Sequence, residues 1–365
     1  MNEHPHTSAL HALGQSLWLD TITRPLLDSG TLQRYIDTLS LSGLTSNPTI
    51  FDHALKDSHD YDADIRARRA LGLSDEALFF ELALLDLCRA ADLFRPVHER
   101  SRGVDGWVSL EVSPLLADDT QASLAAACEL HARAARPNLF IKIPGTAAGC
   151  KAIEDATFAG VPINVTLLFS AAQYRAAAEA WLRGIERRLD AGRPAYVVSV
   201  ASVFISRWDV AVAGKLPAEL NMKLGIAIGR QAYQAYGEFL ASARVRRVMN
   251  EGVTPQRLLF ASTGTKDPQA SDTLYVEALA APFTINTLPE STLKAFADHG
   301  RLEPGVPAGA DDGAKTLAAV RAAGIELDAL AAQLQRDGAA AFVKSWHELL
   351  ARIRSKVAAL GGAAA

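Results

Sequence analysis

The stretch LFIKIPGTAAGCKAIEDATFAGVPINVTLLFS, residues 139–170, decides how the whole chain is read. It opens on six residues of which only Lys142 is polar, then breaks at Pro144 and Gly145. A helix-like segment follows, and a second apolar run starts at Pro162. Two apolar runs joined by a helical link form the unit of a parallel sheet. The unit recurs along the chain. Short apolar runs ending on a polar residue and a Gly, Pro or Ser break occur eight times: SLWLDT with Asp20, GLTSNP with Asn47, WVSLEVSP with Glu111, LFIKIP with Lys142, PINVTLLFS with Thr166, YVVSVAS with Ser202, RLLFAST with Ser262 and FTINTLP with Asn286.

The clearest helical segments between them are 75–97, 119–135, 170–192 and 221–245, rich in Ala, Leu, Glu and Arg with apolar residues three and four apart. Ser74, Asp119 and Ser170 precede helical runs and Gly192 follows one, which matches helix start and stop chemistry. Eight strand–helix units predict a closed (β/α)8 barrel, an α/β fold, rather than an open doubly wound sheet. The strands span roughly residues 16–290, and an Ala-rich helical extension follows over roughly 310–360, packing outside the barrel or capping one end. No internal repeat or low-complexity linker divides the chain, so residues 1–365 read as one domain, with the final GGAAA expected to fray.

The bulk numbers agree with such a fold. Of 365 residues, 49% are hydrophobic and 21% charged, enough for one large core. A net charge of -4 gives no global field to draw nucleic acid or an anionic membrane, so phosphate binding must be local. No run of about 18 apolar residues and no apolar leader appears, and three cysteines without C-x-x-C spacing suit a reducing compartment. The expectation is a cytoplasmic protein.

In a barrel of this kind the active groups come from the C-terminal strand ends and the loops after them. Asp20, Asn47, Glu111, Lys142, Asn164, Thr166 and Ser202 are therefore expected to converge on one mouth. Lys142 has two readings. It can pair with Glu111 or Asp20, or extend to the rim, as a structural cation. Alternatively, burial can lower its affinity for a proton, leaving a free amine to attack a carbonyl and form a Schiff base. The second reading requires proton transfers, for which Glu111 and Asp20 are the natural groups; for these two, capping or ion pairing is the plain structural alternative.

The motifs LWLDT, LTSNPT, VSLEVSP, LFIKIPGT, PINVTLLFS and SVFISR resemble the successive strand motifs of transaldolase, in the same order and over roughly residues 15–290. LLFASTGTKDP and FTINTLPE resemble its longer subfamily. The resemblance implies a class I aldolase barrel that transfers a dihydroxyacetone unit from a ketose phosphate to an aldose phosphate without a metal or cofactor. The implied reaction takes sedoheptulose 7-phosphate and glyceraldehyde 3-phosphate to erythrose 4-phosphate and fructose 6-phosphate, in the non-oxidative pentose phosphate pathway.

By position, Lys142 resembles the Schiff-base lysine, Asp20 the base that deprotonates the C4 hydroxyl, and Glu111 with Thr166 the pair that handles a catalytic water. Asn47, Asn164 and Ser202 match residues holding hydroxyls of the three-carbon unit. Phe204 matches an aromatic lining the pocket, and Arg207 a phosphate-binding arginine, for which a surface ion pair is the structural alternative. Many members carry a second arginine after the seventh strand, where this chain offers Lys266, with Ser262 and Thr265 as further donors or simply a solvated turn.

Three other readings compete. A Schiff-base aldolase could release free dihydroxyacetone from fructose 6-phosphate with the same lysine. His4 and His6 hint at a metal-dependent hydrolase, but they precede the first strand and the other histidines are scattered. A sugar-phosphate-binding barrel without turnover has to explain the intact Lys142, Glu111 and Asp20 set. GTAAGCKA, residues 145–152, lacks the spacing and hydroxyl of a nucleotide loop. The chain leaves both a monomer and a homodimer open.

Overall fold

The computed structural model describes residues 4–56, 58–69, 71–302 and 312–361. All eight apolar runs are strands: β1 Gln15–Leu19, β2 Leu41–Thr45, β3 Trp107–Glu111, β4 Leu139–Pro144, β5 Ile163–Leu168, β6 Ser199–Phe204, β7 Arg257–Ala261 and β8 Thr284–Leu288. Each pairs in parallel with the next and β8 returns to β1, closing the barrel in chain order.

Strand side chains alternate between two environments, as the pleat requires. Leu17, Leu19, Ile141, Ile143, Ile163, Val165, Leu258 and Phe260 join the core shared with the surrounding helices. Trp18, Trp107, Phe140, Val200, Leu259 and Ile285 make up part of a second cluster, in which the Trp107 and Phe140 rings stack with centroids 4.1 Å apart. Two residues beyond members of this second set, and on the same face of their strands, come Asp20, Lys142 and Ser202. One alternation therefore fills the barrel and then turns polar at its C-terminal end.

The three expected caps form. The side chains of Ser74, Asp119 and Ser170 accept from the backbone N–H of Ala77, Ala122 and Gln173 at 3.1, 2.9 and 3.1 Å, each contributing about 1 kcal/mol. Thr146 does the same for the helix Ala147–Ala159, accepting from Gly149 N–H at 3.0 Å, so GTAAGCKA is a helix start. The segment 221–245 is not one helix. It breaks at Ser242, whose extended backbone ends the helix Leu224–Ala241 and whose hydroxyl caps Ala243–Asn250 by accepting from Val245 N–H. A serine that can bond to its own backbone competes with helix continuation.

The C-terminal extension comprises the helices Asp312–Ala322 and Leu327–Gly361. The start of the expected extension at 310 and 311, and the last four residues of GGAAA, lie outside the described residues. Trp346 of the long helix is fully buried against Phe79 and Phe80, with ring centroids 5.0 and 5.7 Å away.

Candidate active site

A cavity of about 380 Å³ opens at the C-terminal end of the barrel and is lined in part by Asp20, Asn47, Lys142, Thr166, Ser202, Phe204, Arg207 and Lys266. Eight of the ten residues given a catalytic or substrate-binding role by the sequence therefore share one space. The other two, Glu111 and Asn164, stand directly behind it, each joined to a lining residue. Lys142 reaches the cavity because Phe140 and Lys142 lie on the same strand face, one at the level of the aromatic filling and one above it. Its Nζ lies 3.0 Å from Glu111 Oε2 and donates to the Ser46 carbonyl at 3.2 Å. Lys142 and Glu111 are both only 4% exposed, so this charge pair is screened little by solvent. The ion pair and the reactive-lysine reading thus occupy the same geometry.

Burial pushes the Glu111 carboxyl above the ordinary glutamate range, against the pull of Lys142 and with a further push from Asp20. Burial likewise raises Asp20, opposed by Lys142, by a hydrogen bond from Thr45 and by Lys266. Two acids and one amine therefore share a site in which burial favours the protonated form of both carboxyls and Lys142 opposes it. Thr45 Oγ1 fixes Asp20 by donating to its Oδ1 at 2.9 Å, and Thr45 is itself 2.9 Å from the Thr287 hydroxyl. Thr166 Oγ1 and Glu111 Oε1 are buried with no hydrogen-bond partner among the described residues. Other buried side chains away from the cavity, among them Asn138 Oδ1 and Thr157 Oγ1, are left the same way, so what distinguishes Thr166 and Glu111 is their place at the cavity and beside Lys142.

Asn164 holds the cavity floor. It accepts from Ser202 Oγ at 2.8 Å and donates to Ser109 Oγ at 3.0 Å, tying β6, β5 and β3 together. Asn47 caps the helix Pro48–Leu55 by accepting from Ile50 N–H at 3.0 Å, which sets its position at the rim. Arg207 is exposed at the rim. Its neighbour Asp209 is taken by the N–H groups of Leu224 and Gly225 and by the Tyr275 hydroxyl, so the surface ion pair considered for Arg207 does not form with it. Ser262 lines the cavity, whereas Thr265 does not and donates to the Ser271 carbonyl. Asn286, the polar residue noted in FTINTLP, accepts from Thr263, and it is Thr287, one position on, that lines the cavity.

Sequence reasoning missed Thr45, Ser46, Thr287 and Ser109 as the second ring of partners, although all four stand inside or beside the quoted motifs. It also missed His53 and Phe342, both of which line the cavity. Phe342 comes from the C-terminal helix, two hundred residues from Lys142, and carries no local signal. Among the described residues no three His, Cys, Asp or Glu side chains are grouped to share a metal ion, and His4 instead lies 3.4 Å from the Ala297 carbonyl.

A family model described as Transaldolase/Fructose-6-phosphate aldolase matches residues 17–353. The chain is 43% identical over 364 residues to a protein named Transaldolase from Saccharopolyspora erythraea, covering 98% of this chain and 99% of the relative. It is 44% identical over 355 residues to the Transaldolase of Thermobifida fusca, covering 95% and 96%. Against the Transaldolase of Mycobacterium tuberculosis strain H37Rv the identity is 42% over 363 residues, covering 97% of each.

Proposed function

The chain belongs to the transaldolase/fructose-6-phosphate aldolase family and is an enzyme of the transaldolase type, and on that premise we propose that Lys142 attacks the C2 carbonyl of a ketose phosphate to form a Schiff base. The observation that carries this reading is the Lys142 Nζ, buried, 3.0 Å from Glu111 and opening onto the cavity that Asp20 lines. Attack needs the neutral amine, and Glu111 is the adjacent group able to take the ammonium proton. The same carboxyl, with the Thr166 hydroxyl, serves the water that leaves as the carbinolamine becomes an iminium.

The iminium is an electron sink. Asp20 removes the C4 hydroxyl proton, the C3–C4 bond breaks, an aldose phosphate departs, and the electron pair is held as an enamine on Lys142. A second aldose phosphate then adds at the enamine carbon, Asp20 returns the proton, and hydrolysis frees the new ketose and the amine. Ping-pong kinetics follow from a covalent enzyme form that outlives the first product. Asn47, Asn164 and Ser202 hold the hydroxyls of the three-carbon unit, while Phe204 lines its pocket. Arg207 and Lys266 supply the rim cations for the phosphate, Arg207 with the fork geometry that suits it.

In this reading every bond change is handled by side chains, with no metal or cofactor. The substrates are sedoheptulose 7-phosphate and fructose 6-phosphate as donors, with glyceraldehyde 3-phosphate and erythrose 4-phosphate as acceptors, in the non-oxidative pentose phosphate pathway. The whole chain acts as one unit, because the C-terminal helix contributes Phe342 to the cavity. No described helix is long and apolar enough to cross a membrane, and a cytoplasmic location belongs to the proposal. The test is borohydride reduction with fructose 6-phosphate followed by peptide mass mapping. The expected adduct is on Lys142; an active enzyme without that adduct refutes the assignment.

A further inference from the structure

The helix Leu327–Gly361 is fastened to two sides of the cavity, and Phe342 lies between the fastenings. On one side Gln335 donates to the carbonyls of Gly145, just past β4, and Leu167, next to Thr166 in β5, at 3.0 and 2.9 Å. Leu167 stands at φ 59 where the β5–β6 register shifts, and a Cβ added at Gly338 would lie 2.9 Å from its side chain, so the helix rests close on this bulge. On the other side Thr49 donates to the Ser345 hydroxyl at 2.8 Å and Arg352 to Asp52 at 2.7 Å, both on the helix that follows β2.

Between these anchors the Phe342 ring centroid is 5.8 Å from Lys142 Nζ, and Phe342 is 6% exposed. It shares an apolar cluster with Leu167, Phe169, Phe204 and Leu334, a surface that gives a water molecule no hydrogen-bond partner.

We infer that Phe342 is the residue that keeps water from the Lys142-bound three-carbon unit, and so sets how that unit divides between transfer and release. The inference rests on the Schiff-base reading above. Release from the enamine consumes water: its carbon takes a proton to give the iminium, water adds at C2, the carbon–nitrogen bond breaks, and dihydroxyacetone leaves with the lysine amine restored. Transfer reaches its new carbon–carbon bond before any water is required. A side chain that limits water near Nζ therefore slows early loss of the three-carbon unit, whereas transfer needs its hydrolytic water only after the new carbon–carbon bond has formed.

The test compares Phe342→Ala and Phe342→Leu with the unsubstituted full-length protein. Free dihydroxyacetone released from fructose 6-phosphate is measured against three-carbon transfer to erythrose 4-phosphate, with borohydride mapping of Lys142 on each protein. Phe342→Ala is expected to raise the release-to-transfer ratio about tenfold, equivalent to about 1.4 kcal/mol between the two barriers, and Phe342→Leu, which restores bulk, to return most of the difference. Should the alanine variant fail to fold, the leucine variant still carries a smaller expected rise. An unchanged ratio in the folded variants, with the Lys142 adduct still formed, overturns the role of Phe342 alone. An active unsubstituted enzyme lacking the Lys142 adduct overturns the covalent reading as well.

Discussion

Replacing Asp20 with Asn exchanges one ionisable oxygen for an amide and changes little else in size. Thr45 can still donate to the remaining side-chain oxygen, as it does to Oδ1 at 2.9 Å, so the geometry should persist. What disappears is the group proposed as the base for the C4 hydroxyl. A positioned general base contributes about 10²–10⁴ in rate, or about 2.7–5.4 kcal/mol of barrier at about 1.36 kcal/mol per decade. Cleavage and addition use the same proton site in opposite directions, so both half-reactions should slow by that factor. Lys142 and Glu111 remain, so Schiff-base formation should survive. Borohydride with fructose 6-phosphate should then trap the intact six-carbon sugar on Lys142, where the unsubstituted enzyme also yields the three-carbon adduct. A three-carbon adduct formed at the unsubstituted rate would sink the assignment of Asp20. The same exchange has a stability signature. Burial raises the Asp20 carboxyl in the folded state, so the folded protein holds this proton after the unfolded chain has released it. Stability from this group is complete below the unfolded value near 4 and is lost as pH rises through the raised one. Asp20→Asn should therefore melt higher than the parent at neutral pH, and the gap should close as the pH falls towards 4.

Glu111→Gln should lower transfer by about 10²–10³ while leaving KM within a few-fold, because its proposed proton traffic belongs to carbinolamine formation and dehydration; rapid-quench measurement of adduct formation checks it, and an unchanged adduct rate refutes it. Arg207→Ala should raise KM for fructose 6-phosphate by about 10- to 100-fold, the loss of a charge-assisted hydrogen bond of about 1.5–3 kcal/mol, and should hardly change turnover of the unphosphorylated ketose. At the opposite end of the barrel, Asp105→Asn should cost about 3–5 kcal/mol in chemical denaturation by removing the carboxylate charge that compensates buried Arg257, with KM unaltered.

The barrel was legible because it is written locally. Each strand is a short apolar run with a turn signal after it, and the caps at Ser74, Asp119 and Ser170 follow from side chains that can satisfy free N–H groups. The polar residue at each strand end was legible for the same reason. Its facing was not always so: in FTINTLP the sequence offers Asn286 and Thr287 side by side, and only register decides that Thr287 lines the cavity. Phe342 was illegible because its place depends on where the last helix lands. That is fixed by Gln335, Thr49, Asp52 and the burial of Trp346, contacts spanning up to 300 residues. An Ala-rich amphipathic helix announces that it will pack, but not against which end of the barrel.

The two ends of this barrel treat buried charge in opposite ways. At the N-terminal end Arg257 donates to the carbonyls of Val104 and Thr284, to Asp105 and to Ser16. Burial raises Asp105, but His11, Arg257 and Ser16 outweigh it and hold its carboxyl below the ordinary range. Such an acid is ionised by its surroundings and fixed there; its stability contribution is present at neutral pH and is lost only as pH falls through the depressed value. Asp20 and Glu111, at the C-terminal end, are raised instead, because burial there exceeds what Lys142 and Thr45 return. Those acids hold a proton more tightly than free carboxyls do, whereas Asp105 holds its own less tightly. Among the described residues, raised acids, a buried amine and an open cavity coincide only at this end, and that coincidence is the physical reason for placing the proposed chemistry here.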